Sequence, residues 1–278
     1  MIESKSVRMA KMALLLALST TPIVLGLRAD AAPTPAAEPS ARTEEVDPKA
    51  KEALTRMTGY LRTLQAFTVR AATSKDEIVG NDFKLQRNSE VTLSVRKPDR
   101  LRAEAHGDNG DKAFVYDGKS LVIFNQQEKY YATMPAPPTI NEMLDAAFNQ
   151  QGIELPLADF LYSAMGDDLG SSALAAGDIG PSKVAGSDCE HYAFRGPKVD
   201  WQIWIEQGDR PLARKFVLTT RDAPSRPQYT AVLTWDMSPR LDDATFAFIP
   251  PQGAQPIEFA PQRKAAGESK PSQTQQKR

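Results

Sequence analysis

The stretch Val91-Thr-Leu-Ser-Val-Arg-Lys-Pro-Asp-Arg-Leu-Arg-Ala-Glu-Ala-His-Gly-Asp-Asn-Gly110 decides the fold. Val91, Leu93 and Val95 alternate with Thr92, Ser94 and Arg96; then Leu101, Ala103 and Ala105 alternate with Arg102 and Glu104. A period of two sends apolar side chains to one face and polar ones to the other, the pattern of a half-buried strand. Pro98-Asp99 divides the two runs and Gly107-Asp108-Asn109-Gly110 ends the second, both turn signals. So short a connection joins antiparallel strands, because a parallel pair needs a crossover of a dozen residues or more.

The same grammar extends both ways. Upstream, residues 66–79 are rich in Thr and Val and lead into a strand over 83–97. Downstream come Ala113 to Tyr116, the hairpin dipeptide Asp117-Gly118, Leu121 to Phe124, and Lys129 to Met134, stopped by Pro135, Pro137 and Pro138. Strands resume over 179–186, 188–195, 199–206, 211–221 and 228–237, and Phe246 to Pro251 closes the pattern as an apolar alternation ended by proline. Helical spacing interrupts this series. Asp47-Pro48 opens an amphipathic helix over 48–65, with Leu54, Met57, Leu61 and Leu64 on one face. Thr139 caps a helix over 139–149, Pro156 begins another through Phe160, Leu161 and Ala164, and small residues over 166–177 add a short turn. The expected fold is α+β: one large antiparallel sheet, long enough that it must curl or close, with helices held to one face.

The ends lie outside that domain of residues 47–260. Residues 1–31 read as a secretory signal, with Lys5, Arg8 and Lys11 before an apolar stretch and Ala29-Asp30-Ala31 before a cleavage point at Ala32. The alternative is an uncleaved N-terminal anchor. Residues 32–46 form a flexible Ala/Pro-rich leader, and 261–278 a disordered, mildly basic tail. The 278-residue chain carries 34 basic and 35 acidic residues; cleavage turns the net charge of −1 into −3. Such a balance excludes a nucleic-acid binder read from composition, and the one Cys excludes an intramolecular disulfide. The expected location is the periplasm, with no transmembrane segment in the mature chain.

Motifs of catalysis are scarce. Cys189-x-His191 lacks the partners of a zinc site, and its two side chains, two apart on a strand, sit too far from each other for a nucleophile–base pair. Cys189 reads as a buried structural thiol and His191 as a residue at the solvent edge. His106 stands beside a turn, and Asp108-Asn-Gly-Asp111 resembles a calcium loop only without its closing Glu. Asp167-Asp168 and Asp242-Asp243 suit helix or turn caps. No phosphate loop, G-x-S-x-G elbow, H-E-x-x-H or dinucleotide fingerprint occurs. No catalytic residue, metal or cofactor is expected.

The aromatic residues carry more. Trp201, Ile203 and Leu233, Trp235 lie on apolar strand faces, as do Leu93, Val95, Phe114 and Tyr116. Leu144, Phe148, Phe160 and Leu161 occupy the helices above them. A curled sheet capped by apolar helices encloses apolar volume, so these twelve residues are the candidate ligand-binding set. Trp204 falls on the polar face of its strand and is the candidate contact for a protein partner.

Several short motifs together resemble one known layout. They are Ala53-Leu54-x-Arg56-Met57-x-x-Tyr60-Leu61, Lys97-Pro98-Asp99-Arg100-Leu101, Tyr116-Asp117-Gly118-Lys119 and Cys189-x-His191-Tyr192-Ala193-Phe194. Asp200-x-Gln202-x-Trp204-Ile205-x-x-Gly208 and Phe246-x-Phe248-x-Pro250 complete the set. The chain resembles the LolA/LolB-like superfamily of periplasmic lipoprotein carriers, and within it a family of predicted periplasmic proteins of unknown function. The resemblance implies a curved sheet, an unclosed half-barrel with helices covering its concave face, that binds a lipid, a lipidated protein or another apolar ligand, with no catalytic residues. The alternative is an envelope structural or interaction module with a filled core and a protein partner.

Overall fold

The computed structural model describes residues 45–165 and 173–259. The expected signal over 1–31, nearly all of the leader, the caps at Asp167-Asp168 with most of the short turn over 166–177, and the tail from 261 lie outside them. In chain order the elements are α1 (Pro48–Thr63), β1 (Ala66–Val79), β2 (Phe83–Arg96), β3 (Arg100–Gly107), β4 (Lys112–Tyr116), β5 (Ser120–Asn125) and β6 (Tyr130–Pro135). They continue with α2 (Ile140–Gln151), α3 (Ala158–Met165), β7 (Ala175–Val184), β8 (Ser187–Arg195), β9 (Val199–Glu206), β10 (Ala213–Thr220) and β11 (Gln228–Asp236). A 3-10 turn, Asp243–Phe246, and the short β12 (Gln255–Ile257) end the described chain.

All the strands join one sheet in the order β12-β6-β5-β4-β3-β2-β1-β11-β10-β9-β8-β7. Each pairing is antiparallel except the three-residue contact of β12 with β6, which is parallel. The sheet does not close on itself, since β12 and β7 stand at its two edges. Its seam is β1, which pairs with β2 along its whole length and with β11 from Thr68↔Asp236 to Lys75↔Tyr229.

The alternation seen in the sequence maps directly onto depth. Phe67, Val69 and Ala71 of β1 are buried, with Val91, Leu93 and Val95 of β2 and Leu101 and Ala103 of β3 beside them. Ala50, Leu54, Met57 and Leu61 of α1, Met143, Leu144 and Ala147 of α2, and Phe160 and Leu161 of α3 complete the same continuous core. The helices therefore cover one face of the sheet, as the apolar stripes required.

Local chemistry fixes where the helices start and stop. The Asp47 carboxylate accepts from the Lys49 amide at 2.8 Å, with Pro48 in the first turn. At the other end, Lys97 Nζ donates to the carbonyls of Leu61 (3.0 Å) and Arg62 (3.1 Å) in the last turn of the helix, where Leu61 O also accepts from the Leu64 amide at 3.3 Å. Burial, with Arg62 nearby, holds the Lys97 ammonium below its ordinary pKa. The next residue, joined by a cis Lys97-Pro98 bond, accepts from the Ile140 amide at 3.0 Å and so sets the start of α2. One turn between β2 and β3 thus positions two helices.

Two readings of the sequence need correction. β7 begins at Ala175 rather than 179, because the backbone of residues 45–47 runs beside it: the Asp47 amide donates to Ala176 O (3.0 Å) and the Ala176 amide to Glu45 O (3.1 Å). Phe246 to Pro251 is not a strand. It lies over the outer face of the sheet as a strap, with Phe246 1% exposed and the Phe248 ring 5.6 Å from Phe124 and 5.2 Å from Tyr131. The reason lies in β4 and β5, where Ala113, Val115, Val122 and Phe124 point away from the main core yet are buried. Strands apolar on both faces need cover on both.

Arg96 fastens the strap. Its guanidinium lies 5.3 Å from the centre of the Phe246 ring, donates to Leu241 O at 3.1 Å and pairs with Asp243. Asp242 caps the turn by accepting from the Thr245 amide at 2.9 Å. Phe246→Ala will lower stability by about 3 kcal/mol, the usual cost of emptying a buried aromatic site. Urea unfolding followed by far-UV circular dichroism measures this, and an unchanged midpoint would show that the strap is not part of the cooperative unit.

Candidate functional site

The helix-covered face is built in rows set by strand register. One row runs Met134, Leu121, Tyr116, Leu101, Val95, Phe67 across β6 to β1. The next runs Ile123, Phe114, Ala103, Leu93, Val69, Trp235 and crosses the seam into β11. In the other half, Tyr192, Ile203, Phe216 and Ala231 form one row, and Phe194, Trp201, Leu218 and Tyr229 the row beyond it.

Aromatic rings knit the rows to the helices. Phe160 of α3 stands 5.0 Å from Phe216 and 6.1 Å from Trp235, and Trp235 in turn 5.6 Å from Phe67. Phe194 and Trp201 stack in parallel at 3.8 Å. Polar tips on this face are met by main chain: Trp235 Nε1 donates to Ala213 O at 2.8 Å, and the Tyr116 hydroxyl donates to Pro137 O. What faces the helices is thus apolar surface in which the polar tips of Trp235 and Tyr116 are satisfied.

Helices α2 and α3 form a hairpin over this face. Gly152 ends α2 at φ 66°, its amide donating to Phe148 O at 2.8 Å, and Leu157 opens the next turn at φ 59°. Between them Leu155 and Leu157 are buried against the core. The Tyr162 hydroxyl donates to Asp145 Oδ1 at 2.8 Å, tying the two helices together.

Of the twelve candidate ligand-binding residues, all but Phe148 fall in this one cluster; Phe148, in α2, is half-buried. Trp204 lies on the face of β9 opposite Trp201 and Ile203, as the alternation gave it, but it is buried there. It is 9% exposed and belongs to a small second cluster on the outer face with Val184, Cys189 and Val217. His191 stacks on its ring at 4.0 Å, Lys215 Nζ stands 4.6 Å from the ring centre, and Ser182 Oγ accepts from its indole at 3.2 Å. The register His191↔Trp204↔Lys215 makes this sandwich, and strand-by-strand alternation could not show it.

Cys189 is fully buried, and burial, then the Glu206 charge, pushes its thiol pKa up. His191 is half-buried; burial lowers its pKa, and its Nε2 meets Gln202 Oε1 at 3.0 Å rather than the thiol. His106 lies 3.3 Å from Asp111, while Asp108 accepts from the Asn88 amide at 2.7 Å and so closes a turn. Among the described residues no group of three or more His, Cys, Asp or Glu could hold a metal ion.

Sequence reasoning saw the Lys97–Arg100 and Tyr116–Lys119 motifs but not their meeting. Arg100 pairs with Asp99 at 2.8 Å, and a Cβ on Gly118 would stand 2.5 Å from Arg100 Nη1. Gly118 also has φ 86°, so only glycine suits it. Asp117 Oδ1 accepts from the amides of Lys119 (2.9 Å) and Ser120 (2.8 Å). Burial pushes the Asp117 carboxyl up, but these bonds outweigh it and hold its pKa below the ordinary value. Both motifs build the same end of the sheet, beneath the helices.

Residues 50–260 match the family described as "Predicted periplasmic protein (DUF2092)", and the chain belongs to that family, a periplasmic one of unknown function. Similar solved structures include the Mycobacterium tuberculosis lipoprotein LppX, at 10% identity over 70% of this chain and 100% of that one, TM-score 0.46. LprF from Mycobacterium bovis is 11% identical over 71% of this chain and 97% of that one, TM-score 0.43. A LolA superfamily protein from Nitrosomonas europaea is 9% identical over 72% and 97%, TM-score 0.36. At these identities and scores the likeness assigns no ligand to this chain. No curated protein matches it. No helix among the described residues is long and apolar enough to cross a membrane.

Tyr116 offers a test of how this face is held. Burial, with Asp99 next, pushes its phenol up to about 12 from an ordinary 10.0. A raised value means that the fold holds the neutral form. The stabilisation is therefore complete below pH 10 and lost as pH rises through about 12. Tyr116→Phe will cost about 1 kcal/mol at neutral pH by removing the bond to Pro137. It will also flatten the fall of the urea midpoint with pH over that window, and an equally steep fall in the variant would assign the titration elsewhere.

Proposed function

We propose that this protein is a non-enzymatic periplasmic carrier or sensor that binds a lipid, the acyl chain of a lipidated protein, or a similar apolar ligand between its sheet and its helices. The observation that supports this most is the continuous aromatic and aliphatic face running through both halves of the sheet, with the polar tips of Trp235 and Tyr116 bonded to main chain. Phe114, Trp201, Ile203, Leu233 and Trp235 would line one side of the ligand, and Leu144, Phe160 and Leu161 the other. Leu93, Val95 and Tyr116 would form the floor, and Phe148 the margin. The α2–α3 hairpin would swing on Gly152 and Leu157 to admit the chain. Affinity would come from acyl surface leaving water, about 0.8 kcal/mol for each buried CH₂.

The burial of Trp204 weakens the alternative of an envelope module that grips a protein partner there, because His191 and Lys215 already occupy both sides of its ring.

The three tryptophans of the chain make the test spatial. A brominated fatty acid should quench Trp201 and Trp235, which face the helices, and spare Trp204, which faces away. The Trp204→Phe protein should keep the full quenching, and the Trp201→Phe/Trp235→Phe protein should lose it. Protein from periplasm should also release lipid in native mass spectrometry. Absence of both bound lipid and quenching would sink the carrier reading.

A further inference from the structure

The register puts several loops at one end of the sheet. Phe194, Trp201, Leu218 and Tyr229 form a row near that end, and Tyr229 pairs with Lys75 of β1. The β8–β9 turn, the β10–β11 loop and the tip of the β1–β2 hairpin therefore share a rim. It is the end opposite the Lys97 and Asp117 turns.

Charge is unevenly placed there. The single Asp200 carboxylate gathers three guanidinium groups: Arg226 at 3.1 Å, Arg195 at 3.3 Å and Arg221 at 3.5 Å. Arg221 also donates to Gly196 O at 2.7 Å, and its amide donates to Lys198 O, which brings the Lys198 backbone to the same place. Asp222 is the other acid of the β8–β9 and β10–β11 segments, and Asp82 stands at the tip of the β1–β2 hairpin. In the β8–β9 and β10–β11 segments Arg195, Lys198, Arg221 and Arg226 stand against the carboxylates of Asp200 and Asp222, in a chain whose net charge is negative. The Arg226 side chain is 56% exposed and that of Arg195 47%. A guanidinium presents five donors in a planar fork, a shape suited to phosphate oxygens.

Exposed apolar side chains lie along the same rim. Beyond Lys75 on the β11 side and Ser89 on the β3 side, β1 and β2 pair only with each other, so the hairpin projects past the sheet. Phe83 near its tip is 63% exposed, while Lys84–Asp76 (3.2 Å) and Arg87–Glu77 (3.0 Å) pair the charges behind it. Asp76 accepts from the Gln228 amide at 3.0 Å, which anchors the hairpin to the arginine-bearing loop. Leu174, 45% exposed, donates its amide to Arg195 O at 2.7 Å, and Tyr130, 43% exposed, ends the β5–β6 turn at this end.

We propose that this rim docks on the surface of an anionic lipid bilayer, with Arg195, Arg221 and Arg226 on headgroup phosphates and Phe83 entering the interface. The arginine excess selects the anionic surface, and the apolar tips favour a bilayer over a free phosphate or an acidic peptide. The attraction is local and screened beyond about 8 Å in physiological salt. The proposal rests on the acyl-binding reading for its purpose, since docking here brings the end of the Phe194–Trp201 row to the membrane.

Flotation with vesicles of phosphatidylcholine, with and without phosphatidylglycerol, tests it. The protein should float with the anionic vesicles, less so as salt rises, and not with phosphatidylcholine alone. Arg226→Gln should weaken flotation about fivefold, in line with one surface cation, and Arg226→Lys should restore most of it. Phe83→Ser should weaken it as well, with near-UV circular dichroism unchanged. Equal flotation with both vesicles, none with either, or indifference to Arg226→Gln would overturn the proposal. Fatty-acid quenching of the same variants in solution separates the two readings. Lost flotation with intact quenching removes docking alone, whereas intact flotation with no quenching removes the acyl ligand alone.

Discussion

The pairing of β1 with β11 is the constraint on which the rest depends. It joins Thr68 to Asp236 across most of the folded chain and turns two meanders into one sheet. Without it the apolar row ending in Val69 would stop at a free edge; with it, the row continues into Trp235 and the rows of β10 and β9 beyond. A sheet this wide with one apolar face must curl and be covered. Helices α1, α2 and α3 supply that cover on one side. On the other, the Phe246–Phe248 strap covers the part of the sheet where β4 and β5 are apolar on both faces.

The two ends of the sheet are chemically different. At one, Lys97, Pro98, Arg100 and Tyr116 spend their polar groups on helix termini and on neighbouring turns. That end is bound into the fold. At the other, arginines converge on a single carboxylate and Phe83, Leu174 and Tyr130 remain exposed. A fold that ties one rim to its helices and leaves the other outward-facing has a direction, and the covered face runs between the two.

Much of this was legible because strand alternation is a local signal. Val91 to Ala105 announced both its strands and its buried face, and Asp117-Gly118 announced its hairpin. The helix stripes likewise named nearly the whole helix side of the core. The burial of Trp204 and the path of Phe246 were not legible, for a shared reason. Each sits where simple alternation or an apolar run gives one answer, and each is decided by residues far away in sequence. His191 and Lys215 bury the first, and Arg96 with the outer face of the sheet captures the second.

The amino-acid sequence by itself determined the strand faces, the helix stripes, the turns and the absence of recognisable catalytic motifs, because these depend on neighbours within a few residues. Only the tertiary structure decided which strands meet at the seam, which outer surfaces need a second cover, and which loops gather at one rim. Asp200, Arg221 and Arg226 are unremarkable along the chain. They become a charged cluster when antiparallel register brings three strand ends together, and register is a property of the whole sheet.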